Sequence, residues 1–271
     1  MSAVRVAIAG ASGRMGRALL DAATSTEGIA LAAAIDMAGS ACVGRDASEL
    51  CTAAHGLVVD IDVPTALRGS QVLIDFTRPE GTLGHLRACR EAKRAMVIGT
   101  TGFAPAGLDE IRAAARDIAI VMAPNMSIGV NVMLRLVETA ARALGPDYDT
   151  EVFEIHHKLK VDAPSGTALK LGEVAAKARG ASLEKDGVFA RHGTTGERKG
   201  GSIGFSVARG GDIVGDHTVF FAGPGERLEI THRAASRATY AQGAMRAAKF
   251  VAGKPPGLYD MNDVLGLKSA S

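Results

Sequence analysis

The apolar positions of this chain fall into two textures. Through the first half, short unbroken apolar runs at Val4–Gly10, Ala30–Asp36, Val72–Thr77, Ala95–Thr100 and Ile118–Pro124 alternate with helix-length amphipathic stretches. Continuous Val/Ile/Ala runs suit parallel strands covered on both faces and joined by right-handed crossovers. Helices are expected over Met15–Thr24, Gly81–Lys93, Leu108–Arg116 and Ile128–Leu144, the last with Val132, Leu136 and Ala140 at four-residue steps. After Leu144 the apolar residues alternate instead. Ile203, Phe205 and Val207 interleave with Ser202, Gly204 and Ser206, and Leu228 and Ile230 with Glu229 and Thr231, as in strands with one buried face. Gly210-Gly211-Asp212 and Gly223-Pro224-Gly225-Glu226 look like hairpin turns between such strands. A helical pattern returns over Ser236–Val251, with Ser236 as N-cap, and Lys254-Pro255-Pro256-Gly257 reads as a turn or extended connector.

The fold class that follows is α/β. A parallel-sheet domain is expected over residues 1–127 and an α+β domain on a mixed or antiparallel sheet over 128–235. The segment 236–271 is expected to return to the first domain. Between the opening strand and the first helix stands G-A-S-G-R-M-G, which makes the first domain Rossmann-like. Gly10 lets the chain turn off the strand, Gly13 lets backbone N–H groups approach a pyrophosphate, and Gly16 lets the helix pack closely on the sheet. Asp36 follows Gly16 by twenty positions, where such units place a ribose-binding acid. Two further loops, G-T-T-G at Gly99–Gly102 and A-P-N-M at Ala123–Met126, fall at the carboxyl ends of predicted strands, the edge where ligands of open parallel sheets sit.

Composition narrows the chemistry. Among 271 residues, 31 basic and 29 acidic side chains leave a net charge of +2, and no lysine/arginine block builds a field for nucleic acid. Cys42, Cys51 and Cys89 lack the spacing of a zinc knuckle or a disulfide framework and are read as reduced thiols. No run of eighteen apolar residues suggests a membrane segment, so a cytoplasmic protein acting on a small molecule is expected.

The densest chemistry lies in E-I-H-H-K-L-K-V-D-A-P-S-G-T-A-L, Glu154 to Leu169. Pro164 biases Ala163 away from helix, Ser165 is a good N-cap, and Gly166 and Thr167 then fall in a first helical turn, whose N–H groups and dipole favour an anion. A neighbouring lysine adds charge, and His156 and His157 can supply a proton near neutral pH, so an acidic ligand is expected. Adjacent residues on a strand point to opposite faces, and no carboxylate or cysteine stands at a convincing ligand spacing, so no metal is expected. A dehydrogenase of another small acidic substrate and a nicotinamide-sensing regulator remain alternative readings of these residues.

In this order, G-A-S-G-R-M-G, G-T-T-G, H-H-x-x-K-x-D-A-P-S-G-T-A and R-A-A-S-R make the chain resemble the 4-hydroxy-tetrahydrodipicolinate reductases, formerly dihydrodipicolinate reductases, of bacterial lysine and diaminopimelate biosynthesis. The resemblance spans nearly the whole chain. It implies hydride transfer from a nicotinamide to a cyclic dicarboxylate with loss of water, on a Rossmann domain plus a substrate domain. It also implies His156 as proton donor and Lys160 as catalytic lysine, with His157, Gly166 and Thr167 binding the substrate. Gly10, Ala11, Ser12, Gly13, Arg14, Met15, Asp36, Gly99, Thr100, Thr101, Ala123, Pro124, Asn125 and Met126 would hold the cofactor, and a homotetramer is the family's common assembly. One departure matters: many relatives follow the ribose acid with an arginine that holds a 2′-phosphate, whereas Met37 follows Asp36 here. NADH is therefore expected to serve at least as well as NADPH, with Arg14 and Arg45 the residues that could reverse this.

Overall fold

The computed structural model describes residues 2–268. They form two compact units, one built from the chain up to Ile128 and from Arg237 onward, the other from Gly129–Ser236.

In the first unit β1 (Val4–Ala9) leads over the glycine turn into α1 (Arg14–Ser25), β2 (Ile29–Ile35), β3 (Val59–Asp60) and α2 (Val63–Gly69). It continues with β4 (Val72–Asp75), α3 (Pro79–Ala92), β5 (Ala95–Ile98), α4 (Pro105–Ala114) and β6 (Ala119–Met122). The second unit takes most of α5 (Ile128–Leu144), then β7 (Asp149–His156), α6 (Gly166–Ala178), α7 (Leu183–Asp186), β8 (Gly187–Val188), β9 (Ile203–Arg209), β10 (Gly215–Gly223) and β11 (Glu226–Ala234). The chain then returns to the first unit as α8 (Ala238–Val251), β12 (Gly257–Tyr259) and α9 (Met261–Leu265).

The first sheet has seven strands in the order β12-β6-β5-β4-β1-β2-β3, every adjacent pair parallel. Strand order reverses beside β1, so the loops after β1 and β4 diverge there and open a ligand-binding edge. On one face, Val6, Ile8, Val72, Ile74 and Val97 pack against Leu19 and Leu20 of α1 and Ala244, Met245 and Ala248 of α8. On the other, Ala7, Leu73, Met96 and Ile98 pack against Leu67, Leu86 and Ile111 of α2, α3 and α4. With both faces covered, these strands have no polar face, which is why they appear as unbroken apolar runs.

The second sheet is mixed, in the order β11-β10-β7-β9-β8, with β7 antiparallel to β10 and parallel to β9. Val152, Val219, Phe205 and Phe221 face Met133 and Val137 of α5 and Leu171 and Ala175 of α6. The opposite face, with Phe153, Ile155 and Phe220, carries no helix of this unit among the described residues.

Two expectations need correction. Gly210-Gly211-Asp212 is not a hairpin turn, because β9 and β10 lie on opposite sides of β7. The loop instead crosses the end of β7, with Gly210 N–H donating to His156 O (2.9 Å) and Lys158 N–H to Gly211 O (3.2 Å). The last long helix, α8, starts at Ala238 with Arg237 in the N-cap position, one residue after the expected Ser236. The connector Lys254–Gly257 ends by joining β12, whose three residues pair with β6. No helix among the described residues is long and apolar enough to cross a membrane.

Candidate active site

At the carboxyl edge of the first sheet, Gly10 takes a left-handed φ of 70°, and a Cβ on Gly16 would stand 2.0 Å from the Gly10 carbonyl oxygen. Only glycine allows α1 to start this close to the turn. Asp36 reaches back to that turn. Its Oδ2 accepts from Ser12 N–H (2.7 Å) and lies 3.5 Å from Cys42 Sγ, while Oδ1 accepts from Met37 N–H (2.8 Å). Burial would raise the pKa of this carboxyl, but hydrogen bonds from Ser12, Met37 and Cys42 outweigh it and hold the group below the usual aspartate range. An anion is thus fixed beside the glycine turn. Met37 is 75% exposed, and Arg45 is paired with Glu49 at 3.2 Å. The other two edge loops are held as tightly. A Cβ on Gly99 would meet Phe76 Cε1 at 2.1 Å, and one on Gly243 of α8 would meet the Met126 carbonyl oxygen at 1.7 Å. These residues fit a dinucleotide running from the β1 turn across β4 and β5.

The second unit gathers charge on one face of its sheet. Register places Arg209 opposite His156 and His217 opposite Glu154, and the two-residue period puts Glu154 and His156 on the same side. Glu154 is completely buried. Arg209 grips it bidentately (Nη1 to Oε2 2.9 Å, Nη2 to Oε1 3.0 Å), Ser165 N–H donates to Oε1 (3.0 Å), and His156 Nδ1 shares a short hydrogen bond with Oε2. Burial opposes its ionisation, yet Arg209, His156 and the Ser165 N–H prevail and the carboxyl lies below its ordinary range. For His156, burial works against the cation, Lys160 and Arg209 add to that, and Glu154 opposes them; the net shift is downward. His217, 5.0 Å from His156 between ring centroids and 3.1 Å from Ser165 Oγ, is pushed down to about 4 by burial and then by His156. It is a neutral wall of the cluster.

Lys160 lies in the loop after β7, its Nζ 2.8 and 2.9 Å from the two carboxylate oxygens of Asp162, whose carbonyl accepts from Arg209 Nη2 (2.6 Å). Ser165 caps α6, its Oγ accepting from Ala168 N–H (3.2 Å). Gly166 and Thr167 occupy the first turn, and the Ala163–Pro164 bond before it is cis. A Cβ on Gly215 would stand 2.7 Å from His156 Nε2, so this glycine leaves room for the imidazole. The arrangement can hold a carboxylate at a helix start beside a lysine, and can move a proton through an imidazole whose other nitrogen is anchored.

The family model described as dihydrodipicolinate reductase, N-terminus, matches residues 4–126, and that described as its C-terminus matches residues 129–265. The chain belongs to the dihydrodipicolinate reductase family. It is 59% identical over 268 residues to the 4-hydroxy-tetrahydrodipicolinate reductase of Nitrosospira multiformis, covering 99% of this chain and 100% of that one. To the enzyme of the same name from Thiobacillus denitrificans it is 59% identical over 265 residues, covering 98% and 99%. Among solved structures, the dipicolinate-bound dihydrodipicolinate reductase of Paenisporosarcina sp. TG-14 matches with a TM-score of 0.77 at 23% identity, over 96% of this chain and 98% of that one. A protein of gentamicin A biosynthesis solved in complex with NAD matches at 0.59 and 15% identity, over 98% and 91%; both likenesses concern the fold. As a member of a reductase family with a Rossmann-type unit, the chain is an oxidoreductase with a nicotinamide cofactor.

In this reductase the residues singled out from sequence occupy two places. The turn Gly10–Met15, Asp36, Gly99–Thr101 and Ala123–Met126 all lie at or just beyond carboxyl ends of first-sheet strands. His156, Lys160, Gly166 and Thr167 lie at the end of β7, in the following loop and at the start of α6, with half-buried His157 directly after β7. Sequence reasoning passed over Glu154, Arg209 and His217, which hold the cluster together. Glu154 carried a signal, since its two-residue spacing from His156 puts both on one strand face. Arg209 and His217 are brought in by strand pairing alone.

Proposed function

We propose that this chain reduces 4-hydroxy-tetrahydrodipicolinate to tetrahydrodipicolinate, with loss of water, in lysine and diaminopimelate biosynthesis. The single observation that supports this most is the His156–Glu154–Arg209 assembly beside Lys160 and the α6 start, inside a chain that carries the family's two halves from end to end. The bound nicotinamide supplies the hydride. His156 supplies the proton that accompanies it, because Glu154 anchors Nδ1 and leaves Nε2 to the substrate. Lys160, held by Asp162 before the substrate arrives, turns to a substrate carboxylate and offsets the negative charge that develops with hydride addition. His157 and the first turn of α6 at Gly166 and Thr167 hold the second carboxylate.

NADH serves at least as well as NADPH on this reading. Asp36 is charged, residues 37–44 contain no cation, and Arg45 is engaged by Glu49. The enzyme works in the cytoplasm as a homotetramer, without nucleic acid, membrane or metal in its chemistry.

The test is NADH oxidation that depends on the condensation product of pyruvate and aspartate semialdehyde, repeated with NADPH. Turnover with that substrate is expected, with His156→Ala and Lys160→Ala each losing at least about 100-fold in kcat, the scale of general acid catalysis, while nicotinamide binding persists. No turnover with this substrate would remove the reading; near-normal turnover in both variants would remove the two roles. A tenfold preference for NADPH would overturn the cofactor assignment.

A further inference from the structure

One buried charge in the first unit has no place in the chemistry above. Asp75, the last residue of β4, is completely buried, and its carboxylate is surrounded by donors. Oδ2 lies 2.6 Å from His85 Nδ1 of α3. Oδ1 accepts from Thr77 N–H (2.8 Å), Thr77 Oγ1 (2.7 Å) and Thr82 Oγ1 (3.1 Å), and Thr100 Oγ1 stands 3.5 Å away. Thr82 and Thr100 share a further hydrogen bond of 2.8 Å. Burial would drive this carboxyl towards its neutral form, but His85 and Thr77 outweigh it and the group stays ionised. A core position filled only for stability would carry an apolar residue, since a buried ion pair rarely beats a hydrophobic isostere.

The partners of Asp75 explain its place. Thr77 is the second residue of the loop after β4, and its Cγ2 lies 2.8 Å from where a Cβ of Gly10 would be, so it rests on the glycine turn. Thr100 belongs to G-T-T-G, and its hydroxyl is drawn inward while Thr101 remains exposed. Phe76, between Asp75 and Thr77, fills the space that the missing side chain of Gly99 leaves. One carboxylate therefore holds the loops after β4 and β5 together, and through the methyl of Thr77 its network also abuts the turn after β1, across the point where the strand order reverses. These are the loops that a nicotinamide dinucleotide must cross.

We propose that Asp75, held by His85, is a positioning residue for the nicotinamide cofactor. It sets the Gly99–Thr101 loop and Thr77 in the geometry that receives the reduced nucleotide, while touching neither nucleotide nor substrate. The inference rests on the nicotinamide cofactor and is independent of which acid is reduced.

The experiment measures NADH binding calorimetrically in the absence of the dicarboxylate, alongside KM for the dicarboxylate and the thermal midpoint without ligand. Asp75→Asn keeps the shape but removes the charge and replaces one of the two acceptor oxygens with an NH2 donor, so His85 and the threonines can no longer all donate to it. It is expected to weaken NADH binding about tenfold, equivalent to roughly 1.4 kcal/mol, with KM for the dicarboxylate within twofold of the parent. His85→Asn, which keeps an N–H near the Nδ1 place, should retain most of the affinity that His85→Leu loses. Should Asp75→Asn fail to fold, Thr100→Val and Thr100→Ser stand in: loss with valine and recovery with serine support the proposal. Unchanged NADH affinity in a folded Asp75→Asn or Thr100→Val overturns it, as does an equal weakening of nucleotide and dicarboxylate. Because binding is read without turnover, its failure leaves the assignment of the reaction untouched.

Discussion

At the residue scale, the second unit shows how a buried acid conditions a histidine. Glu154 is ionised because Arg209, His156 and the Ser165 N–H all donate to it, and its charge in turn favours protonated His156 against burial and against Lys160 and Arg209. Glu154→Gln keeps the size but removes the charge that raises the affinity of His156 for its proton. A proton donor is active below its pKa, so removing that influence moves the fall in kcat/KM to lower pH. At neutral pH, turnover is expected to drop by about tenfold or more, with KM for NADH unchanged. A pH–rate profile superimposable on that of the parent enzyme would sink this role for Glu154. His156, Lys160 and the capped helix start were legible in the sequence because they lie within a dozen residues of one another. Arg209 and His217 were not, since nothing in a linear pattern records which strands lie beside β7.

At the element scale, tight contacts set by glycine decide where the loops stand. Gly243 lets α8 lie on the carbonyl of Met126, with room for no Cβ, and so pins the Ala123–Met126 loop from behind. In Gly243→Ala either the helix or the loop backbone must shift, an overpacking cost of about 1–3 kcal/mol. A fall of several degrees in Tm and weaker NADH binding are expected together, measured by thermal melts with and without NADH. A variant with unchanged Tm and affinity would show that α8 does not hold the loop. The long strands and helices of the first unit were readable because burial on both faces leaves unbroken apolar runs bounded by turns. The two residues of β3, the seven of α2 and the three of β12 were not; elements this short have no period to detect. Similarly, the glycines at 210 and 211 signal a turn without saying whether the next strand lies beside the last one or across another.

At the scale of the whole molecule, the sheet of the second unit is covered by α5 and α6 on one face only. The other face presents Phe153, 38% exposed, with Ile155 and Phe220 and the Thr218–Thr231 hydroxyl pair at 3.0 Å. If four chains assemble through such faces, sedimentation equilibrium of the parent protein should give four times the mass of 27.9 kDa. A monomer at micromolar concentration would exclude the homotetramer. The sequence by itself determined the two textures, the glycine turn with its distant acid and the histidine–lysine run with its helix start. Each of these is local, governed by backbone conformation, side-chain periodicity or capping within a few residues. Only the tertiary structure decided that Arg209 and His217 close around Glu154, that Asp75 holds the loops after β4 and β5, and that α8 shares one face of the first sheet with α1. Those are contacts between distant segments, fixed by strand order and packing rather than by any preference of the chain near them.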